Sequence, residues 1–394
     1  MEYTQTELFF DNISGKKVSL DFEGGAMSSD GGALLLRQIE RRVGVVDALS
    51  GGIRDRRHQS YVEHPLDDLI RQRVFQIACG YPEAVASNAL RDDPAMKTGC
   101  ERLPFSGETL AGQSTMSRLE NSVSRSSIYR MSQAMVDVFL DSFKKPPRRI
   151  VLDLDETCDP THGAQQGSLF HAFYDTYCFL PLHIYESGTG RLVTTVLRPG
   201  KTPTGRESAA IVKRLIRYIR KRWPKVKIVI RGDSHYGRPE VCDVCETENV
   251  WYILGLATNS RLQGLAFRSW WELTREELGD YRTFTEFEYQ AGSWCRARRV
   301  IVRVDAKERG VDIRFVVTNM PQKKPGYLYD KVYCRRCQME NLIKDHKNGL
   351  RSDLTSCSSF TANCFRLLLH SAAYVLLHHL RERVLAGTSM ATAL

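Results

Sequence analysis

The order of elements in this chain predicts an α/β fold built on a mixed sheet, and three stretches carry that expectation. Arg149-Ile-Val-Leu-Asp-Leu-Asp-Glu-Thr157 is an apolar run that starts to alternate with acids and then ends on them. As a strand it sets Ile150, Leu152 and Leu154 on one face and Val151, Asp153 and Asp155 on the other, because side chains alternate with a period of two. Strands at 176–186 and 191–197, joined by the turn Ser187-Gly-Thr-Gly190, follow it before the next helix. Ile228-Val-Ile-Arg-Gly-Asp233 is a later strand that also closes on an acid.

Residues 1–145 read as a mainly helical, DNA-binding domain with a short leading β element. Lys17 to Glu23 alternates like a strand. Ser29-Asp30-Gly31-Gly32 can cap a helix from Ala33 to Val43, with Gly44 just past its end. A second helix fits Pro65 to Cys79, with the proline in its first turn and Leu66, Leu69, Ile70, Val74, Phe75 and Ile77 inward. Short helical stretches follow at 83–90 and after Ser114, and a longer helix at 128–143. Arg71, Arg73, Arg118 and Arg125 on these helices can face DNA or simply water. Lys144-Lys-Pro-Pro-Arg-Arg149 marks a boundary, since adjacent prolines stop a helix.

Beyond it come a strand at 149–156, a loop at 157–172, the two strands named above, a helix at 206–222, a strand at 226–233, a helix at 237–247 and a strand at 250–256. Three antiparallel strands followed by strands alternating with helices is the order of the ribonuclease H-like fold, a mixed five-stranded sheet with flanking helices. A doubly wound nucleotide-binding sheet would need helices between its first strands. Residues 146–257 and 326–394 are assigned to this catalytic domain. Residues 258–325 are a β-rich insertion, with alternating runs at 281–289, 298–304 and 311–317 that read as an added antiparallel sheet. A helix at about 335–346 returns to the main fold, and the tail from Ser358 to Leu380 closes it.

A formal charge of +10 points to a polyanionic partner. Its local clustering is sharper. From Arg206 to Arg231 ten Lys or Arg face one acid, Glu207. The helix at 206–222 turns Ile211, Leu215 and Ile219 inward and Lys213, Arg217 and Arg220 outward, toward nucleic-acid phosphates. Eleven cysteines, an odd number, and an N-terminus without a signal-like apolar core predict free thiols in a reducing cytoplasm. The longest apolar tract, Phe365 to Leu380, is broken by Arg366, His370, His378 and His379, so it reads as a core helix, with no membrane partner.

Asp155 and Asp233 end strands that lie side by side in this fold, and two facing carboxylates tolerate each other best with a divalent cation between them. A third acid sits in Tyr333-Cys-Arg-Arg-Cys-Gln-Met-Glu340-Asn-Leu-Ile-Lys344, where Tyr333, Arg336 and Glu340 share a helix face with Lys344 or Lys347 further on. Such a row places a carboxylate at two oxygen-rich Mg²⁺ sites, with Mn²⁺ a substitute, and cations over adjoining phosphates.

These residues give the chain its resemblance. It resembles a DDE transposase of a bacterial insertion sequence, in the group whose third acid lies in Tyr-x2-Arg-x3-Glu-x6-Lys, which Tyr333, Arg336, Glu340 and Lys347 match in full. Asp155-Glu-Thr157 matches the first motif of the family and Asp233 in Arg-Gly-Asp-Ser the second. Leu152 to Gly163, Leu197-Arg-Pro-Gly200 and Phe75 to Tyr81 look like one subfamily of it. The resemblance implies cut-and-paste transposition: a homodimer on double-stranded DNA binds terminal inverted repeats, releases the element and joins its 3′ ends to target DNA. It implies Asp155, Asp233 and Glu340 as the catalytic, metal-holding acids, and a bacterial cytoplasm with the protein on the nucleoid when bound. Tyr333, Arg336, Lys344, Lys347, Lys213, Arg217, Arg220 and Arg231 are the expected DNA contacts.

Asp155 is preferred over Asp153 as the first acid because it is nearer the strand end and precedes Thr157 as the motif requires. The alternative role for Asp153 is that of a buried salt-bridge partner. Two further readings stay open: a repair or recombination nuclease of the same fold, and an inactive DNA-binding relic. Cys242-x2-Cys245 and Cys334-x2-Cys337 have the ligand count of a structural zinc site, but both fall in predicted helices, so buried thiols are expected. Trp270, Trp271 and Trp294 can stack an unpaired base or pack in a core.

Overall fold

The computed structural model describes residues 8–13, 16–20, 27–273, 281–307, 310–321 and 323–392. At its centre is an eight-stranded mixed sheet: β1 Arg149–Glu156, β2 Leu182–Glu186, β3 Arg191–Val196, β4 Lys227–Gly232, β5 Trp251–Leu256, β6 Tyr281–Tyr289, β7 Arg298–Lys307 and β8 Gly310–Thr318. The spatial order is β6-β7-β8-β5-β4-β1-β2-β3. β1, β4 and β5 are parallel, and every other neighbour is antiparallel. This is a mixed α/β fold with flanking helices, consistent with a ribonuclease H-like architecture.

The flanking helices include α1 Leu66–Ala78, α2 Gln113–Ser122, α3 Arg125–Asp141, α4 Gly205–Arg222, α5 Pro239–Thr247, α6 Cys337–Lys344 and α7 Phe360–Arg383. α4 begins on a capping box, in which Thr204 Oγ1 accepts from the Glu207 amide at 3.3 Å and Glu207 Oε2 accepts from the Thr204 amide at 2.7 Å. Its apolar stripe of Val212, Leu215, Ile216 and Ile219 packs on the sheet face that carries Ile150, Leu152 and Leu154, alongside Val241, Cys242 and Cys245 of α5. On the other face Tyr185 and Leu192 join a second core made by the N-terminal helices and α7. α7 is long and apolar enough to cross a membrane, but 78% of its most apolar window is buried inside the protein. It is a core helix.

Three expectations change. The strand expected at 176–186 is two, Thr176–Phe179 and β2, because Pro181 has no N–H to give a ladder and the Leu180 amide turns to Arg198 O at 3.1 Å. The first piece pairs with Asp159–Pro160 and Leu169–His171 in a small three-stranded sheet beyond the end of β1. The strands expected as an added antiparallel sheet join the main one and extend it from five strands to eight. β8 pairs with β5 from Ile253↔Thr318 to Leu256↔Phe315, which covers an edge that five strands alone would leave with unpaired backbone groups. The helix expected at 335–346 changes pitch along its length. Tyr327–Tyr333 is a wide π-helical stretch, Cys334–Arg336 a tight 3₁₀ turn, α6 regular, and Asp345–Gly349 wide again.

Candidate active site

Asp153 and Asp155 point to the same face of β1, as alternation requires, but they meet different partners. In the parallel β1–β4 pair Asp153 lies opposite Arg231. Arg231 Nε and Nη2 donate to Asp153 Oδ1 and Oδ2 at 2.5 and 2.6 Å, and the guanidinium also donates to Ser187 Oγ and Val332 O. Both side chains are almost wholly buried. Burial pushes the Asp153 carboxyl above its ordinary value despite the pull of Arg231. Arg231 is therefore corrected from a phosphate-facing cation to a buried counter-ion that ties two strands in register.

Asp155 stands one turn of the pleat further on. Its Oδ1 accepts from the Glu156 amide at 3.0 Å and its Oδ2 from Arg336 Nη1 at 2.8 Å. Burial pushes its carboxyl up to about 7; Arg336 pulls it down, and the charges of Asp233 and Glu340 push it further up. Asp233 follows the end of β4 and is held by an Asx turn, with the His235 amide donating to Oδ1 at 2.9 Å. Glu340 is exposed in the first turn of α6. Burial works against the Arg336 charge, yet Asp155, the Tyr333 phenol, Asp233 and Glu340 together raise its pKa. One guanidinium thus answers to all three acids. Tyr333 reaches this end of the sheet only because residue 255 is glycine: a Cβ there would lie 2.8 Å from the Tyr333 hydroxyl and 2.7 Å from the Ser234 amide.

Other expected contacts are placed differently. Lys347 spends its ammonium on the chain just after β1, donating to Thr157 Oγ1 at 3.1 Å and Cys158 O at 2.6 Å and pairing with buried Asp159 at 3.1 Å. Lys344 is exposed on α6 and Lys213 half-buried on α4. Arg217 pairs with Glu248 at 2.8 Å, and Arg220 donates to the Glu248 and Asn249 carbonyls, so both clasp the C-terminal end of α5. Arg73 is buried against Glu120 at 3.0 Å and does not face DNA. Trp294 is buried against Tyr289, a packing role; the side chains of Trp270 and Trp271 lie outside the described residues.

A layer around the acids lies in stretches the sequence singled out without assigning its side chains a role. Glu156 takes Arg198 and, at 2.8 Å, His235 Nδ1. Burial works to raise the Glu156 carboxyl, but these two partners hold it below its ordinary value. His235 also lies 3.5 Å from Asp233 Oδ2, so the layer links the loops that follow β1 and β4. Arg198 belongs to the Leu-Arg-Pro-Gly stretch, and its function there was legible only from the fold.

The family model "Transposase DDE domain group 1" matches residues 10–394. The chain belongs to this transposase family. No curated protein matches the chain. Among solved structures it is similar to the cryo-EM structure of the piggyBac transposase synaptic complex with hairpin DNA, at 11% identity, over 88% of this chain and 74% of that one, with a TM-score of 0.45. Within this DDE transposase chain, Asp155, Asp233 and Glu340 present only carboxylate oxygens, the donors that hard divalent cations take. Among the described residues no group of three or more His, Cys, Asp or Glu is arranged to hold a metal ion, with Asp155 Oδ2 taken by Arg336. Cys242 and Cys245 are thiols buried in the core, the first pushed up to about 12 by burial.

Proposed function

We propose that the protein cuts and joins DNA strands at the terminal inverted repeats of an insertion element, on a ribonuclease H-like catalytic domain, with Asp155, Asp233 and Glu340 as its acids. What supports this reading is that Asp155 and Asp233 stand at the C-terminal ends of two paired parallel strands, with Arg336 bonded to Asp155 and the charges of Asp233 and Glu340 acting on both, in a chain of this family. In a cut, water oxygen forms a bond to the phosphodiester phosphorus, the bond to the 3′ oxygen breaks, the water proton leaves to a base, and the departing 3′ oxygen takes up a proton. A 3′-hydroxyl and a 5′-phosphate result. Joining repeats the displacement with that 3′-hydroxyl as the nucleophile on target DNA.

Burial raises the Asp155 carboxyl to about 7, and a divalent cation bound to it would favour its ionised, ligating form. Arg336 offers its fork to the non-bridging phosphate oxygens once DNA is bound. The buried Asp153–Arg231 pair and the Lys347–Asp159 pair hold the strand and loop that carry Asp155. Two Mg²⁺ ions held by Asp155, Asp233 and Glu340, with Mn²⁺ as a substitute, would supply nucleophile activation and stabilisation of the leaving oxygen. Two chains, each on one end of the element, complete the proposed assembly.

The test uses purified protein with duplexes that carry the element's inverted repeats or a scrambled sequence, with and without Mg²⁺. Nicking confined to the first duplex and to Mg²⁺ is expected, and Asp233→Asn should lower it by about a hundred- to a thousandfold. Undiminished nicking by a folded Asp233→Asn protein refutes the assignment; nicking of both duplexes alike favours a repair nuclease.

A further inference from the structure

Two basic stretches far apart in the sequence meet at the end of the sheet opposite the carboxylates. Lys144-Lys-Pro-Pro-Arg-Arg149 leads into β1, and Lys221-Arg-Trp-Pro-Lys-Val-Lys227 leads into β4. Because these strands pair in parallel from Arg149↔Lys227, with the Lys227 amide donating to Arg148 O at 3.1 Å, the two leaders run side by side. An open groove of about 870 Å³ lies between them, lined by Arg148, Arg149, Arg222, Lys225, Lys227 and Trp251 among others, and no described acid lines it. Arg222 is neutralised by Asp137 and Asp141 of α3. Arg148, Arg149, Lys225 and Lys227 are exposed, and the Lys227 ammonium lies 5.3 Å over the Trp251 ring.

Like charges set this close repel one another, and Pro146, Pro147 and Pro224 fix the backbone that presents them. Phosphates spaced along a duplex relieve that repulsion and release their counter-ions. The groove is not the cutting site. Asp155 lies six residue steps along β1 from Arg149, about 20 Å of strand, or roughly six base pairs of B-DNA.

We propose that this groove is a second DNA site, which holds the sugar-phosphate backbone of duplex beyond the stretch at the carboxylates by contacts that read charge and not sequence. It rests on the reading of the protein as a DNA-processing enzyme and adds a place that reading does not contain. It also relocates the DNA contact expected of the basic helix: the contact passes from Arg217 and Arg220, which serve α5, to the residues just after α4.

Binding by the full chain, read without divalent metal as log affinity against log salt, tests it on two duplexes. One is long; the other stops about six base pairs from the cut. In Arg148→Gln/Lys225→Gln/Lys227→Gln the slope on the long duplex should fall by about 2.7, three contacts at about 0.9 each, while the short duplex binds as it does to wild type. Lys225→Arg/Lys227→Arg should keep the wild-type slope. An unchanged slope on the long duplex overturns the proposal, as it would if the groove served an acidic protein, and so does an equal loss on both duplexes. Circular dichroism checks folding, and the single variant Lys225→Gln, on an exposed loop, should still lower the slope by about 0.9. Because binding is read apart from cleavage, a lost slope in a protein that cuts nothing removes the transposase reading and leaves the groove standing.

Discussion

Asp153→Ala removes one half of a buried ion pair and leaves the Arg231 guanidinium between β1 and β4 with its charge unanswered. The two bonds lost are 2.5 and 2.6 Å long, and neither side chain is more than 3% exposed. Ser187 Oγ and Val332 O stay with the guanidinium but carry no counter-charge. A lone buried charge of this kind costs about 3–5 kcal/mol, a large share of a typical domain's stability. The pair itself need not be strongly stabilising, since desolvation offsets its attraction, so Asp153→Leu/Arg231→Met should recover most of the loss. Asp155→Asn is the contrast. Its carboxyl is raised from 3.8 to about 7, so ionising it in the folded state costs about 4 kcal/mol; the variant should lose no stability at pH 8 and should lose strand cleavage. Urea denaturation followed by tryptophan fluorescence at pH 8, with nicking assayed on the same samples, measures both. A loss below about 1 kcal/mol for Asp153→Ala, or an equal loss for Asp155→Asn, would show that the two acids do not divide structure from chemistry in this way.

Three further outcomes are expected. Glu40 is raised from 4.5 to about 7 by burial, although the Val46 amide donates to it at 2.8 Å. Between those values the folded state holds a proton that the unfolded state has released, so stability falls as pH rises through that window, by roughly 3 kcal/mol, and then levels off. Denaturation midpoints at pH 5 and pH 8 should lie closer together in Glu40→Gln than in wild type; an equal separation contradicts the assignment. Glu120→Gln strips the shared counter-charge from Arg73 and Arg366, which it meets at 3.0 and 3.2 Å between α1, α2 and α7, and should cost about 3–5 kcal/mol, seen as a lower thermal midpoint. Lys347→Met leaves Asp159, already raised to about 7 by burial, without its cation. The loop after β1 should then exchange its amide hydrogens faster and nicking should slow; unaltered exchange would exclude a positioning role for Lys347.

What was legible in the sequence follows the range of the interactions involved. β1 occupies 149–156 as its alternation indicates, and α4 and α5 lie within a residue or two of their predicted starts, because period, caps and prolines act over a few residues. The split at Leu180-Pro181 was also written locally, in a residue that cannot donate to a ladder, but a strong apolar run on both sides masked it. The pitch changes from Tyr327 to Gly349 were not written in spacing, which reads the same for a regular helix and for one alternately wound and unwound.

By itself, the sequence determined that the chain has strands with Asp155 and Asp233 at or just past their ends, a Tyr-Arg-Glu-Lys row at fixed spacing, and two basic runs beside prolines, since each is a matter of residue type and near-neighbour period. The tertiary structure alone decided which charges remain available. Parallel pairing put Arg231 opposite Asp153 and so withdrew both from chemistry, and laid Arg148 and Arg149 beside Lys225 and Lys227, while packing of the helical stretch before α6 set Arg336 against Asp155. The physical reason is that a charged side chain takes its role from the partner and the solvent it meets. Partners brought from another strand are fixed by register and packing, which no local pattern in the chain encodes.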